Sequence, residues 1–359
     1  MKHFPLILVL LTATSVDAMD RVQVAEDGHA FVLTPSGQPF VPWGVNCDHD
    51  QSGRLLDEYW IEQWDTVVED FHEIHDLGAN TVRIHLQFGK FMDGPNQPNA
   101  TALAQLGKLL KLAEQTGLYL DLTGLACYHK ANIPDWYDAL SEQDRWQAQA
   151  CFWTAVAKVG SQSPAVFCYD LMNEPVIGGG KSPTDWLAGE PLGDKYFVQR
   201  ISIDVGTRSR EEVARDWVKQ LSTAIRAEDP QHLVTVGVIP WAHVWPNAKP
   251  VFYAPEPAKH LDFVSVHFYP EHDQQEKALA ALKVYDIGKP IVIEEMFPLK
   301  CSSEELLDFI HKSRPTATGW ISFYWGTPIE QLDEKTIGGK ITADWLRAFH
   351  TESERIQQR

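Results

Sequence analysis

Two acidic side chains, Glu174 and Glu295, stand where strand-like runs of this sequence stop. The first closes "YDLMNEP" (169–175), which reads as a buried strand yet ends on an amide, a carboxylate and a proline. Burying Asn173 and Glu174 without partners would cost several kcal/mol, so a purely structural strand gains nothing from this ending. Pro175 cannot donate to a ladder, which stops pairing there. The second acid closes "KPIVIEE" (289–295). If the two runs lie across a barrel from one another, their ends hold two carboxylates on either side of one bond. A separation of about 5–5.5 Å suits retaining glycoside hydrolysis, in which one group is acid and then base while the other attacks the anomeric carbon.

The elements that must position such a pair are legible as an alternation. Strand-like runs fall near 40–47, 81–88, 118–125, 165–173, 233–239, 263–269, 290–297 and 319–326. Between them lie amphipathic stretches such as Leu56–Leu77, Ala102–Gln115, Asp144–Gly160, Arg210–Glu228, Gln274–Asp286 and Ser303–Arg314. Eight strands alternating with helices predict a parallel (β/α)8 TIM barrel. The piece before it, roughly Val22–Phe40, predicts a small N-terminal β-hairpin on the barrel floor. No linker, repeat or low-complexity tract divides residues 19–359, so one catalytic domain is expected. Residues 1–18 read as a signal peptide: Lys2 and His3, the apolar run Leu6–Leu11, then small residues at Val16 and Ala18, with cleavage after Ala18. A secreted or periplasmic protein is the expectation.

Period-2 alternation gives the strands two faces. Val82, Ile84 and Leu86 oppose Thr81, Arg83 and His85; Val264, Val266 and Phe268 oppose Ser265, His267 and Tyr269. The apolar sets should face the helices and the polar sets the lumen. On the run at 290, the same rule puts Ile291, Ile293 and Glu295 on the lumen face and turns Glu294 towards the helices. A bulge would exchange the two acids.

The formal net charge of −18 argues against nucleic acid and anionic membranes as partners and favours a neutral substrate. Aromatics reach 11%, with 13 tryptophans, a surplus suited to stacking sugar rings. The five cysteines, at 47, 127, 151, 168 and 301, form no C-x-x-C pair. "HEIH" (72–75) spaces its histidines at i and i+3, not the i and i+4 of a zinc helix, so neither a metal nor another cofactor is expected. The protein is expected to be a monomer.

"LMNEP" (171–175), "VHFYP" (266–270), "KPIVIEE", Arg83 in "NTVRIHL" and Trp325 in "FYWG" together resemble glycoside hydrolase family 5, the cellulases and mannanases on (β/α)8 barrels. The resemblance spans Phe40 to about Phe349. It implies Glu174 as acid/base, Glu295 as nucleophile and Asn173 as the amide on the sugar 2-OH. Arg83 and Tyr269 would hold the nucleophile ionised, His267 would orient the acid/base, and Trp325 would be a platform under the sugar. The chain departs from the pattern after the nucleophile, where Met296 and Phe297 replace an aromatic and a glycine. It departs again at Asp121-Leu122-Thr123-Gly124, where many cellulases carry a histidine; His129 in "ACYHK" is the candidate to fill that place.

These readings imply a retaining glycosidase of neutral β-linked glucan- or mannan-type poly- or oligosaccharides. The alternatives are an exo-acting β-mannosidase or β-glucosidase on short chains and a non-catalytic sugar-binding barrel. The long segment 176–209, rich in Gly, Pro and charge, could wall off one end of a cleft. Trp241 and Trp245 in "IPWAHVW" could line a subsite.

Overall fold

The computed structural model describes residues 19–47, 49–50, 52–178 and 185–358. The expected signal peptide, residues 1–18, lies outside the described residues. Nine parallel strand segments form the central sheet. In chain order they are Trp43–Asn46, Thr81–Gln87, Tyr119–Ala126, Val166–Asp170, Leu233–Thr235, Gly237–Val238, Val264–His267, Ile291–Glu295 and Gly319–Ser322. Leu233–Thr235 pairs with Val166–Asp170, and Gly237–Val238 pairs with Val264–His267. They are two halves of one strand, split at Val236, and the sheet thereby comes round into a (β/α)8 barrel. All eight expected strands are present.

Both faces of this sheet are covered, as parallel strands require. Val45, Val82, Ile84, Leu120, Val264, Val266, Ile291 and Ile293 pack outwards into the helical layer. That layer follows from local signals. Ser209 and Glu212 form a reciprocal capping box that starts helix Arg210–Glu228, which buries Val213, Trp217, Leu221 and Ile225. The expected Leu56–Leu77 helix is instead two, Leu56–Tyr59 and Trp64–Asp76. The carbonyl of buried Trp60 accepts from the Gln105 side chain at 2.6 Å, which takes it out of helical hydrogen bonding. The last helix, Ile337–Gln357, lays Phe349 flat on Trp43, with ring centroids 4.3 Å apart.

The lumen is divided into a dry floor and a polar rim. Strands Arg21–Val24, Phe31–Thr34 and Pro39–Phe40 form the expected N-terminal hairpin with a third short strand. It drives Val22, Phe31 and Phe40 against Tyr119, Phe167, Leu233, Phe263, Val292 and Ile321. Phe31 meets Phe167 and Phe263 edge-on, at 5.3 and 5.4 Å. No disulfide joins cysteines among the described residues. Phe31→Ala should lower the unfolding free energy by about 3–5 kcal/mol in a urea titration, with activity per folded molecule unchanged. A loss of activity without a loss of stability would contradict this division of floor from rim.

Candidate active site

Glu174 and Glu295 meet at the rim. One carboxylate oxygen of each, together with a ring nitrogen of His267, lies within 4.8 Å of the others. His267 Nδ1 stands 2.9 Å from Glu174 Oε1 and 3.5 Å from Glu295 Oε2. The Tyr269 hydroxyl donates to Glu295 Oε2 at 2.7 Å, and Arg83 Nη1 donates to Glu295 Oε1 at 2.7 Å.

The backbone explains how Glu174 reaches in. Its φ is +47°, a left-handed conformation that costs a non-glycine residue of order 1–3 kcal/mol. Its N–H is anchored on the Gly237 carbonyl at 2.9 Å, and Pro175 then ends the turn. Asn173 is fixed from both sides: Arg83 Nη2 donates to its Oδ1 at 2.9 Å, and its Nδ2 donates to the Phe197 carbonyl at 2.9 Å. The amide group keeps a second N–H.

Glu295 reaches the same place by a different route from the one alternation gave. Ile291 and Ile293 face the helices, whereas Val292 belongs to the floor cluster. Glu294 therefore projects into the lumen, not towards the helices as expected. Its Oε2 stands 3.3 Å from His267 Nε2 and 3.6 Å from Arg83 Nη2. Pairing with the neighbouring strand runs Ile293 to Val266 and then Glu295 to His267, skipping Glu294. This irregularity turns Glu295 inward as well, so both acids share the site.

Three further groups complete the centre. Asn46 accepts from Arg83 Nη1 at 3.0 Å and donates to the backbone carbonyls of Glu294 and Ser322 at 3.0 and 3.1 Å. Its amide thus clamps the irregular strand end. Asp170 accepts from Arg83 Nη2 at 3.0 Å and from the Gly237 N–H at 2.7 Å. Asp121 lies beneath, with one oxygen within 4.8 Å of oxygens from Asp170 and Glu294. Sequence reasoning passed over all three. The signal was there for Asn46 and Asp170, polar residues at strand ends whose runs were otherwise apolar.

Two expected contributors sit elsewhere. Trp325 is only 2% exposed and packs in the outer core, so its ring offers no open face; the partly exposed rings at this strand end are Phe323 and Tyr324. His129 pairs with Asp194 at 3.0 Å and approaches Glu58 at 3.9 Å, outside the carboxylate cluster. Its neighbour Tyr128 turns in instead and hydrogen-bonds His85 through its hydroxyl. Trp241 and Trp245 stack at 5.1 Å and line a pocket with Pro175, Val176 and Val238.

Charge sets the proton distribution. Burial opposes ionisation of Glu295, but His267, Arg83 and the Tyr269 hydroxyl outweigh it and hold the carboxyl below its ordinary value. Burial likewise opposes a charge on His267, and the carboxylates of Glu295, Glu174 and Glu294 more than offset it, raising the imidazole to about 10. Asp121 goes the other way: burial and then Glu294 push it far up, despite Arg83. Both Asp121 oxygens are buried, which favours the neutral form of this acid. The donor sets Glu174/His267/Glu295 and Asp121/Asp170/Glu294 are close enough to hold a metal. A charged His267 has no lone pair to give a metal, and Arg83 already stands on oxygens of Asp170 and Glu294.

A profile of the cellulases (glycosyl hydrolase family 5) matches residues 33–322. The chain belongs to glycoside hydrolase family 5. It is thus a glycoside hydrolase by family, which points to a glycan substrate. Among solved structures, the exo-β-1,4-mannosidase Op5Man5 from Opitutaceae bacterium strain TAV5 is similar at TM-score 0.70 and 18% identity. That match covers 94% of this chain and 63% of the other, less than two thirds of its length. A β-1,4-mannanase from the sea hare Aplysia kurodai matches at TM-score 0.62 and 17% identity, over 91% and 96%. An endo-1,4-β-mannanase from Rhizomucor miehei matches at 0.60 and 17%, over 92% and 99%. At these identities the likeness is one of fold. No curated protein sequence matches the chain.

Arg83→Met removes the cation that Glu295, Asp170 and Asn173 share. Unfolding free energy should fall by about 3–5 kcal/mol, the usual result of leaving buried charges uncompensated, and glycosidase turnover should vanish. Arg83→Lys should regain part of the stability but little turnover, because it keeps the charge and loses the fork. Urea titration beside a turnover assay checks both; an Arg83→Met enzyme as stable as the parent would refute the account.

Proposed function

We propose that this enzyme is a retaining β-glycosidase acting on neutral β-linked chains of the mannan or glucan type, with Glu295 as nucleophile and Glu174 as acid/base. The observation that carries the reading is the approach of the two carboxyl groups to within 4.8 Å. This is the close spacing of double displacement and leaves no room for the water that an inverting enzyme places between its acids. Glu295 attacks C1 while Glu174 protonates the departing glycosidic oxygen. Glu174 then takes a proton from water, the water oxygen attacks C1, and Glu295 is released. Their surroundings fit these roles. Glu295 is paired with a cation and a phenol; Glu174 has His267 alone and is the more exposed, at 18% against 9% for the side chains. The spare N–H of Asn173 is free to meet the sugar 2-OH. The mannose-directed names of the similar folds favour mannan over glucan.

A second reading is exo action. Pro175–Ile177 pairs with Val198–Ser202, which also pairs with Leu187–Ala188. This strap follows Glu174 directly, and its Phe197 packs on Tyr128 at 4.8 Å while its carbonyl takes the Asn173 amide. Chain folded back beside the site in this way suits a pocket closed at one end.

Glu174→Gln and Glu295→Gln should each lower kcat by about 10²–10⁴-fold or more on aryl β-glycosides. Product NMR should show first-formed sugar of retained anomeric configuration. Activity equal to the parent in both variants, or an inverted product, rejects the assignment. In the same assay on β-mannan, a lone mono- or disaccharide product means exo action, and early mid-sized oligomers mean endo.

We further propose that the protein is exported, secreted or periplasmic, after cleavage behind Ala18. N-terminal sequencing of enzyme recovered from medium or periplasm should begin at Met19; an exported enzyme that still carries residues 1–18 would contradict this.

A further inference from the structure

Double displacement as written gives no task to Glu294, yet this acid is fully buried beside both catalytic carboxylates. Its Oε2 lies 3.3 Å from Nε2 of His267, while Nδ1 of the same ring faces Glu174 and Glu295 at 2.9 and 3.5 Å. The space it occupies exists because residue 237 has no side chain. A Cβ there would fall 2.3 Å from Glu294 Oε2 and 2.8 Å from His267 Nε2. Such contacts would drive the pair apart.

We propose that Glu294 is a positioning residue of the reaction, gripping the Nε2 edge of His267 so that the Nδ1–H is held between the acid/base and the nucleophile. This rests on the roles proposed for Glu174 and Glu295. Those roles require negative charge to change sides. Before attack it sits on Glu295; once the glycosyl ester has formed and Glu174 has given its proton to the leaving oxygen, it sits on Glu174. One N–H placed between the two can follow that charge from the first oxygen to the second without the ring moving. The imidazolium charge this needs is balanced throughout by Glu294, which takes no part in bond making.

The groups facing the pair include Arg83, Asp121, Cys168, Asp170, Glu174, Tyr253, Tyr269 and Glu295, from the strands and strand ends around it. Among the acids beneath the ring, Glu294 is the one that stands against Nε2, at 3.3 Å, and so is its direct counter-charge. Removing its charge lets His267 lose its proton at lower pH.

Glu294→Gln keeps the size and an oxygen that can accept from Nε2–H, but not the charge. At neutral pH kcat should drop about tenfold or more with KM nearly constant, the split expected of a group that acts in the transition state. The alkaline limb of the pH–kcat profile should move to lower pH. Gly237→Ala, which forces a methyl group between the same two side chains, should reproduce both effects. A merely structural Glu294 would lower thermal stability and leave the profile of the folded fraction superimposable on the parent; that result overturns the proposal. Should either variant fail to fold, 15N-histidine NMR of the parent decides. His267 protonated on both nitrogens at pH 8 supports the proposal, and a neutral ring at that pH overturns it. The spectrum needs no turnover, so a parent inactive on every glycoside would reject the proposed function separately from this pairing.

Discussion

The architecture of the site depends on one buried cation. The Arg83 guanidinium, wholly shielded from solvent, donates to Asn46, Glu295, Asp170 and Asn173, which belong to three other strands or their ends. A planar fork with five donors can serve several acceptors in fixed directions, which a lysine ammonium cannot. Desolvating such a group is expensive, and a buried ion pair rarely gains stability over an apolar replacement. Its return here is geometric: strand ends distant in sequence are tied to one point, and the nucleophile candidate stays ionised. Around this point stand Asp121, Asp170, Glu294 and Glu295, with His267 as a second cation. So many acids in a dry site are not easily all charged. Burial and the neighbouring Glu294 push Asp121 far towards its neutral form.

The same electrostatics makes two chemically identical side chains unequal. Glu295 is held between a guanidinium, a phenol and an imidazolium and is biased towards the anion, which a nucleophile needs. Glu174 sits on a strained turn, nearer to solvent, with a single histidine contact. Difference in environment, rather than in residue type, is what favours the proposed roles of acid and nucleophile.

Much of this could be read from the chain. Alternation in the runs at 81 and 263 placed Arg83 and His267 in the lumen, because regular strands obey a strict period of two. It failed at 291–295, where Val292 and Glu294 face inward and a skipped pairing brings Glu295 in after them. A register irregularity leaves no mark in residue types, and it was the family resemblance, not the alternation, that decided for Glu295 over its neighbour. His129 was the expected polar group near strand three, but Tyr128 is the one that meets His85; which of two adjacent residues turns inward depends on φ and ψ past the strand end. Leu125 at φ +58° has already broken the period there. The resemblance made Trp325 a platform; burial is a property of the surroundings, and here the ring is almost wholly enclosed.

A polar rim of this kind also needs a floor that excludes water, and the N-terminal hairpin provides one. Phe31 and Phe40 close the lower mouth against Phe167 and Phe263, so the carboxylates above lie in a low-dielectric cup open on one side. In that setting each missing donor costs more than it would in water, and each contact made counts for more. The strain at Glu174, the skipped pairing at Glu294 and the bare Cα of Gly237 are then parts of one solution. Each stands at or beside a strand end, where the ladder is finishing and deviation is cheapest, and each lets an acid meet the ring nitrogens of His267.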